Sequence, residues 1–313
     1  MNLAPDLAPR LAPILLLTYT RTDHLARTLH ALKANELAAQ SDLFIYSDGA
    51  ASEKDVAAVE GVRMMLKSLT GFKSVTVIEQ PVNRGLAANV IAGVTDMTER
   101  FGKVIVLEDD LMTSPYFLTF MNEALTLYQE DERVMNVQGH VLHTAHRMPE
   151  SFFIRFTNSW GWGTWKRAWD QFEPDGRKLL AQLEERGLTR EFDFGGLYPF
   201  TRMLRRQIAG TAHSWMIRWN ATMFLKGGLA LNAGRSLVLN IGTDGSGTNF
   251  TNAADYYTEL DTSRPIAIDP AQPVKEDAAA RLAIGKVYAH EYSKITKTKY
   301  LLRGIWRMVR SVL

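Results

Sequence analysis

The sequence predicts an α/β fold: a mostly parallel sheet with helices on both faces. Three observations carry this. Short apolar, β-branched runs alternate with stretches of helical periodicity over the first 140 residues. The runs are short enough for buried strands, and the periodic stretches between them are long enough for crossover helices. Polar residues gather just after the runs, at the sheet edge where open α/β folds bind ligands.

In order, Ile14–Thr18 is the first strand, and a helix opening near Thr22 buries Leu25, Leu29 and Leu32. Leu43–Ser47 is the second strand and ends in Asp48-Gly49. Ser52-Glu53-Lys54-Asp55 resembles a capping box, with Val56, Val59, Val62 and Leu66 as the buried stripe of the helix behind it. Val75–Ile78 is the third strand. Gly85 to Phe101 is a helix carrying Leu86, Val90, Val94, Met97 and Phe101 on one face. Lys103–Leu107 is the fourth strand and delivers Glu108-Asp109-Asp110 to its tip. A helix from about Pro115 to Glu130 and the strand Val134–Val137 follow.

After Gly139 the texture changes. Residues 152–176 are rich in aromatics and glycine, with Trp160-Gly161-Trp162-Gly163-Thr164-Trp165 at their centre. An amphipathic stretch at 177–210 leads to His213-Ser214-Trp215, and Gly227 to Asn249 reads as short strands and turns. Residues 251–280, with Pro265, Pro270 and Pro273, read as an extended wrapping or linking segment.

Composition sets bounds. The chain has 313 residues, 46% of them hydrophobic, enough for one large domain or two small ones. A net charge of +2 gives no basic field, so nucleic acid is not an expected partner. The absence of cysteine excludes disulfides and thiolate metal sites and is compatible with a reducing cytoplasm. Ile14 to Leu17 is too short for a signal peptide core, and no run approaches the ~18 apolar residues of a membrane span. A soluble or at most peripheral protein is expected.

Three adjacent carboxylates repel one another and cost desolvation unless something compensates. A hard divalent ion such as Mn²⁺ or Mg²⁺, shared with substrate phosphates, is the economical compensator; a solvated acidic loop is the plainer alternative. The other strand ends are polar too: Thr18-Tyr19-Thr20-Arg21, Asp48-Gly49 and Asn83-Arg84-Gly85. Asp48 could accept from a base or ribose, and Arg84 before a helix start could meet a phosphate. Together these outline a nucleoside-diphosphate site. Asp48-Gly49 could equally be a plain turn and Asn83 a helix cap. No G-x-G-x-x-G follows the first strand, which disfavours a Rossmann dehydrogenase.

Tyr19-Thr20-Arg21, Asn83-Arg84-Gly85-Leu86-Ala87, Glu108-Asp109-Asp110-Leu111, Ser159 through Trp165 and Asn240-Ile241-Gly242 through Thr248 together resemble the GT-A glycosyltransferases. The pattern is nearest to bacterial family-2-like sugar transferases related to the N-acetylglucosaminyltransferases with a Glu-Asp-Asp motif, and it covers roughly residues 12–250. The resemblance implies a GT-A fold in which residues 1–140 bind the nucleotide sugar and 141–250 the acceptor. It implies that Asp110 binds the metal, that Glu108 and Asp109 contact ribose or order the site, and that Asp48 contacts the nucleobase. Thr18, Tyr19, Arg21, Asn83 and Arg84 complete the donor set. The implied activity is hexosyl or N-acetylhexosaminyl transfer from a UDP- or GDP-sugar to a glycan or lipid-linked acceptor, with inversion, in surface polysaccharide or glycoconjugate synthesis. Two positions depart from the pattern: Asn249 stands where relatives often carry His, and His213 precedes Ser214-Trp215 where they carry Asp or Asn.

Inversion needs a base opposite the leaving group. His213 is the candidate, since imidazole titrates near neutrality, with Asp244 as competitor and His140 as a further strand-end histidine. Trp160, Trp162, Trp165 and Trp215 are candidates for stacking on acceptor sugars, or for core; Trp162 and Trp165 are expected to divide between the two. A sugar nucleotidyltransferase would show a Gly-rich basic loop after the first strand, and a non-catalytic carbohydrate-binding protein would not need polar strand ends. Residues 281–313 read as a basic amphipathic helix. Lys299, Arg303, Arg307 and Arg310 lie on one face and Leu302, Ile305 and Val309 on the other, with Trp306 near the boundary. That pattern suits the anionic inner face of a membrane, or a helix packed back on the domain.

Overall fold

The computed structural model describes residues 10–243, 258–290 and 292–293. Its strands are β1 (Ile14–Thr18), β2 (Asp42–Ser47), β3 (Ser74–Glu79), β4 (Lys103–Glu108), β5 (Leu111–Thr113), β6 (Val134–Gln138), β7 (Ser151–Ile154), β8 (Trp162–Trp165), β9 (Leu229–Ala233) and β10 (Val238–Asn240). Its helices are α1 (Thr22–Lys33), α2 (Val56–Leu66), α3 (Leu86–Phe101), α4 (Phe117–Leu127), α5 (Lys166–Trp169), α6 (Gly176–Glu185), α7 (Thr189–Phe192), α8 (Phe200–Ile208) and α9 (Met216–Leu225). A last helix begins at residue 278.

Eight strands make one sheet in the order β3-β2-β1-β4-β8-β6-β9-β7. β1 pairs in parallel with both β2 and β4, β2 with β3, and β6 with β9. β8 runs antiparallel between β4 and β6, and β7 antiparallel beside β9. The sheet is therefore mostly parallel in direction, as expected, and takes strands from both the first 140 residues and the stretch after them. Strand order reverses between β1 and β4. The crevice beyond the carboxyl ends of two such strands is the switch point where open sheets bind ligands.

Alternate strand residues feed two cores. Ile14, Leu16, Ile105 and Leu107 join the core under α1, α2 and α4. Leu15, Leu17, Val104 and Val106 join a second one with Val90, Val94 and Met97 of α3. Both sheet faces are covered, which is why these strands are apolar at every position. A third core gathers α6–α9 around Phe156, Phe192 and Phe200, and the last helix adds Ala280, Ile284 and Tyr288 to it.

Local expectations need four corrections. Val56, the first residue of α2, is 42% exposed, while Val59, Val62 and Leu66 are buried. Leu86, likewise the first residue of its helix, is 41% exposed, so the buried face of α3 starts at Asn89 and Val90. Ser52 does not cap a helix: residues 53–55 form a 3₁₀ turn, and the Ser52 hydroxyl donates to the Asp55 carboxylate. The last helix starts at 278, three residues early, and its first turns pack on the domain. The basic stretch from Lys294 lies outside the described residues. Residues 258–276 touch the rest of the chain through Arg235 with Asp261, a bridge between Phe153 and Glu276, and Gln272 with Tyr128. No helix among the described residues is long and apolar enough to cross a membrane.

Candidate active site

At the β1–β4 switch point the chain turns sharply polar. Thr18 Oγ1 and the Tyr19 N–H both donate to Asp109 Oδ2, at 3.4 and 3.2 Å. Arg21 Nη2 donates to Asp109 Oδ1 at 2.6 Å and to Asp110 Oδ2 at 2.8 Å. The Thr28 hydroxyl, on α1, donates to the Asp109 carbonyl oxygen at 2.8 Å. So the end of β1 and the first turns of α1 grip the end of β4, although nearly ninety residues separate them in sequence.

The carboxylates differ in what surrounds them. Burial, with Asp110 and Asp109 beside it, pushes the Glu108 carboxyl well above the usual range, and the Ser159 hydroxyl it accepts from only partly offsets this. Burial also raises Asp109, with Arg21 opposing. Burial works against the charge on Arg21 as well, but there the two aspartates win and hold the guanidinium above its usual value. Arg21 is thus the resident compensator of the acidic triplet.

Two polar atoms are left over, and they are of opposite kind. Arg21 Nη1 is a buried donor and Asp110 Oδ1 a buried acceptor, and neither has a hydrogen-bond partner among the described residues. Buried groups of this sort are normally satisfied, so the pair points to something that binds between them. A cation suits the carboxylate oxygen and an anion the guanidinium. The segment leading to Asp244 crosses directly above. β10 pairs with β5, and the Ile241 N–H donates to the Asp110 carbonyl oxygen at 2.8 Å. At Gly242 even a Cβ would collide with the Asp110 carboxylate and would lie 2.9 Å from Arg21 Nη1.

Does this donor set fit a divalent ion? Among the described residues no three His, Asp or Glu side chains converge as a ready-made cage. Mn²⁺ or Mg²⁺ needs less than that from the protein, since one or two carboxylates plus substrate phosphates and water complete its shell. The free oxygen of Asp110 supplies such a ligand, so the residues fit a metal that arrives with a phosphate-bearing partner.

Asp48 forms a second cluster at the end of β2. Its Oδ1 accepts the N–H groups of Gly49 and Arg84 at 2.9 and 2.8 Å; its Oδ2 accepts from Gly85 N–H and Asn83 Nδ2 at 2.9 and 3.2 Å. Asp48 therefore fastens the segment leading into α3 to the end of β2. The Arg84 side chain is exposed. Gly49 is needed here for close approach, since a Cβ would lie 2.7 Å from the Val82 carbonyl oxygen. Arg63, which the sequence reading missed, donates to the Gln80 carbonyl oxygen at 2.7 Å and to that of Asp48 at 3.4 Å. Its signal was an arginine on the buried side of a helix.

The tryptophans went to the core. Trp162 is 0% and Trp165 2% exposed, Trp215 packs on Trp162 at 5.1 Å, and the Trp165 indole N–H donates to the Leu125 carbonyl oxygen. Trp160 is buried against His140. The expected division of Trp162 and Trp165 is therefore corrected, and none of the four offers a free face for stacking. His140 is buried between Asn158, whose amide donates to Nδ1 at 3.1 Å, and Thr258 Oγ1, 3.0 Å from Nε2; burial lowers its pKa to about 3. It is a neutral structural histidine. His213 is exposed in the loop before α9 and has no hydrogen bond or ion pair to the acidic cluster. Asp244 and Asn249 lie outside the described residues.

No protein-family model matches the chain. No curated protein matches it either. Among solved structures it is similar to the mannosyltransferase PcManGT from Pyrobaculum calidifontis, in complex with GDP-Man and Mn²⁺. Identity there is 15% and the TM-score 0.36, over 58% of this chain and 49% of that one. It is also similar to TarS from S. aureus, at 12% identity and a TM-score of 0.30, over 45% of this chain and 24% of that one. The chain thus spans about half the length of the first and about a quarter of the second. Likenesses of this depth say nothing of chemistry, which has to come from the side chains themselves.

Proposed function

We propose that the chain is a metal-dependent glycosyltransferase of the GT-A type. In this reading it moves a hexosyl or N-acetylhexosaminyl unit from a UDP- or GDP-linked donor to a glycan or lipid-linked acceptor, with inversion. The observation that carries the proposal is the idle pair at the β1–β4 switch point, Arg21 Nη1 and Asp110 Oδ1, both buried and without a partner among the described residues. A metal-bound diphosphate offers each what it lacks.

Thr18 and the Tyr19 N–H orient Asp109, Arg21 presents Nη1 to a phosphate oxygen, and the Arg84 side chain is a second candidate for the diphosphate. A bound Mn²⁺ or Mg²⁺ would supply charge stabilisation for the departing diphosphate. His213, with Asp244 as alternative, would take the proton from the acceptor hydroxyl on the far side of the sugar. The role in surface polysaccharide or glycoconjugate synthesis, and a place at the inner face of the membrane, belong to the same proposal. A sugar nucleotidyltransferase is disfavoured by the absence of a Gly-rich basic loop after β1, and a tryptophan-platform carbohydrate-binding protein by the burial of all four tryptophans.

The test is to incubate the chain with a panel of UDP- and GDP-sugars and follow nucleotide release with Mn²⁺ and with chelator. Metal-dependent release from one donor is expected. No release and no transfer across the panel would overturn the reading.

A further inference from the structure

Asp109 and Asp110 share one cation of the chain's own, and it is held unevenly. Arg21 Nη2 serves both carboxylates, at 2.6 and 2.8 Å, while Nη1 is buried and idle beside them. A guanidinium that loads one nitrogen twice and leaves the other empty has not reached the forked arrangement its geometry favours. We propose that Arg21 is a resident counter-ion that holds Asp110 against free divalent cations until a nucleoside diphosphate arrives, so that metal and nucleotide load together. The proposal rests on the metal–diphosphate reading above and assigns Arg21 a regulatory part within it.

Occupancy and like charge give the reason. Arg21 Nη2 already sits on Asp110 Oδ2 at 2.8 Å. A divalent ion added alone would have to stand beside that guanidinium, where like charges repel in a poorly solvated site. A nucleoside diphosphate brings the negative charge that accommodates both cations. Arg21 then keeps Asp109, turns Nη1 to a phosphate oxygen, and releases Asp110 Oδ2 to join the already free Oδ1. Without the guanidinium that repulsion is gone, and Asp110 is open to the metal before any nucleotide arrives.

The experiment titrates Mn²⁺ into the full-length chain and follows free Mn²⁺ by electron paramagnetic resonance, with and without UDP or GDP. Wild type should bind Mn²⁺ at least ~10-fold more tightly with the nucleotide it accepts. Arg21→Met should bind Mn²⁺ alone ~10-fold more tightly than wild type does and lose most of the nucleotide dependence. Arg21→Lys, which keeps the charge without the fork, should stay weak for Mn²⁺ alone. A residue that merely supported the fold would lower metal affinity on removal, not raise it. Thermal melting adds a readout independent of binding: Arg21→Met should melt below wild type in chelator and gain more from Mn²⁺. If Arg21→Met binds Mn²⁺ no better than wild type, the counter-ion role is overturned and the donor site stands. If neither protein binds Mn²⁺ even with UDP or GDP, the metal reading falls as well. Should Arg21→Met fail to fold, the wild-type titration still decides: equal Mn²⁺ affinity with and without nucleotide overturns the proposal.

Discussion

Replacing Gly242 with alanine is the smallest change that should disable the site, and its effect can be worked from the geometry. The backbone there cannot retreat. Asn240 is paired with Leu111, the Ile241 N–H donates to the Asp110 carbonyl oxygen at 2.8 Å, and the Gly242 N–H donates to Asn240 Oδ1 at 2.7 Å. An added Cβ would lie 2.9 Å from Asp110 Cγ and 2.9 Å from Arg21 Nη1, and closer still to Asp110 Oδ2. Ordinary contacts begin near ~3.5 Å, so the nearer carboxylate oxygen has to give by more than about 1 Å. Asp110 is a short side chain and can rotate, which keeps the overpacking cost near the low end of about 1–3 kcal/mol. Rotation, however, takes Asp110 off Arg21 and away from any shared ligand. The expected outcome is a stability loss of about 1–2 kcal/mol in urea unfolding and at least ~10-fold weaker Mn²⁺-dependent binding of UDP or GDP by calorimetry. A variant that matches wild type in both would refute the view that residue 242 presses on the Asp110 carboxylate.

Three further outcomes are expected. His213→Ala should lower turnover by about two to four orders of magnitude with donor affinity little changed; unaltered turnover, with Asp244→Asn inactive, would move the base to Asp244. His140, held neutral with its pKa lowered to about 3, binds a proton in the unfolded chain but not in the folded one across the window from about 6.5 down to 3. Its contribution is present in full above that window and is lost as pH falls, by about 2 kcal/mol between pH 7 and pH 5. Urea midpoints of His140→Gln should accordingly fall less over that interval than those of wild type; equal slopes would show that another group governs the acid limb. The full chain should pellet with anionic liposomes at low salt and a chain ending at Tyr292 should not, and equal pelleting of the two would remove the membrane placement.

Much of the sheet could be read directly. Residues 14–17 and 104–107 are continuous apolar runs because both faces are covered, and continuous runs are the plainest local signal. β8 could not be read, since Trp162-Gly163-Thr164-Trp165 has no such pattern and its antiparallel seat between β4 and β6 is decided by long-range pairing. The same holds for the tryptophans, because an indole that fills a core and one that awaits a sugar look alike in composition. The positions of Asp48 and of Glu108–Asp110 at strand ends were legible, but their partners were not. The hydrogen bonds of Asp48 to residues 83–85, the reach of Arg21 to Asp109 and Asp110, and the close pass of Gly242 all join segments far apart in sequence. Those contacts show that Asp48 is a structural fastener whatever else it touches, and that the acidic triplet already has a cation of its own.

The central claim is that the β1–β4 switch point binds a metal–nucleoside-diphosphate unit through Asp110 and Arg21. Calorimetric titration of wild type and Asp110→Ala with a UDP- or GDP-sugar, with and without Mn²⁺, tests it most directly. The account predicts that wild type binds its donor only when Mn²⁺ is present. It predicts that Asp110→Ala keeps its fold by circular dichroism, since Arg21 retains Asp109, and loses that metal dependence together with most of its affinity. Donor binding by Asp110→Ala equal to wild type, or wild-type binding indifferent to Mn²⁺, would contradict it.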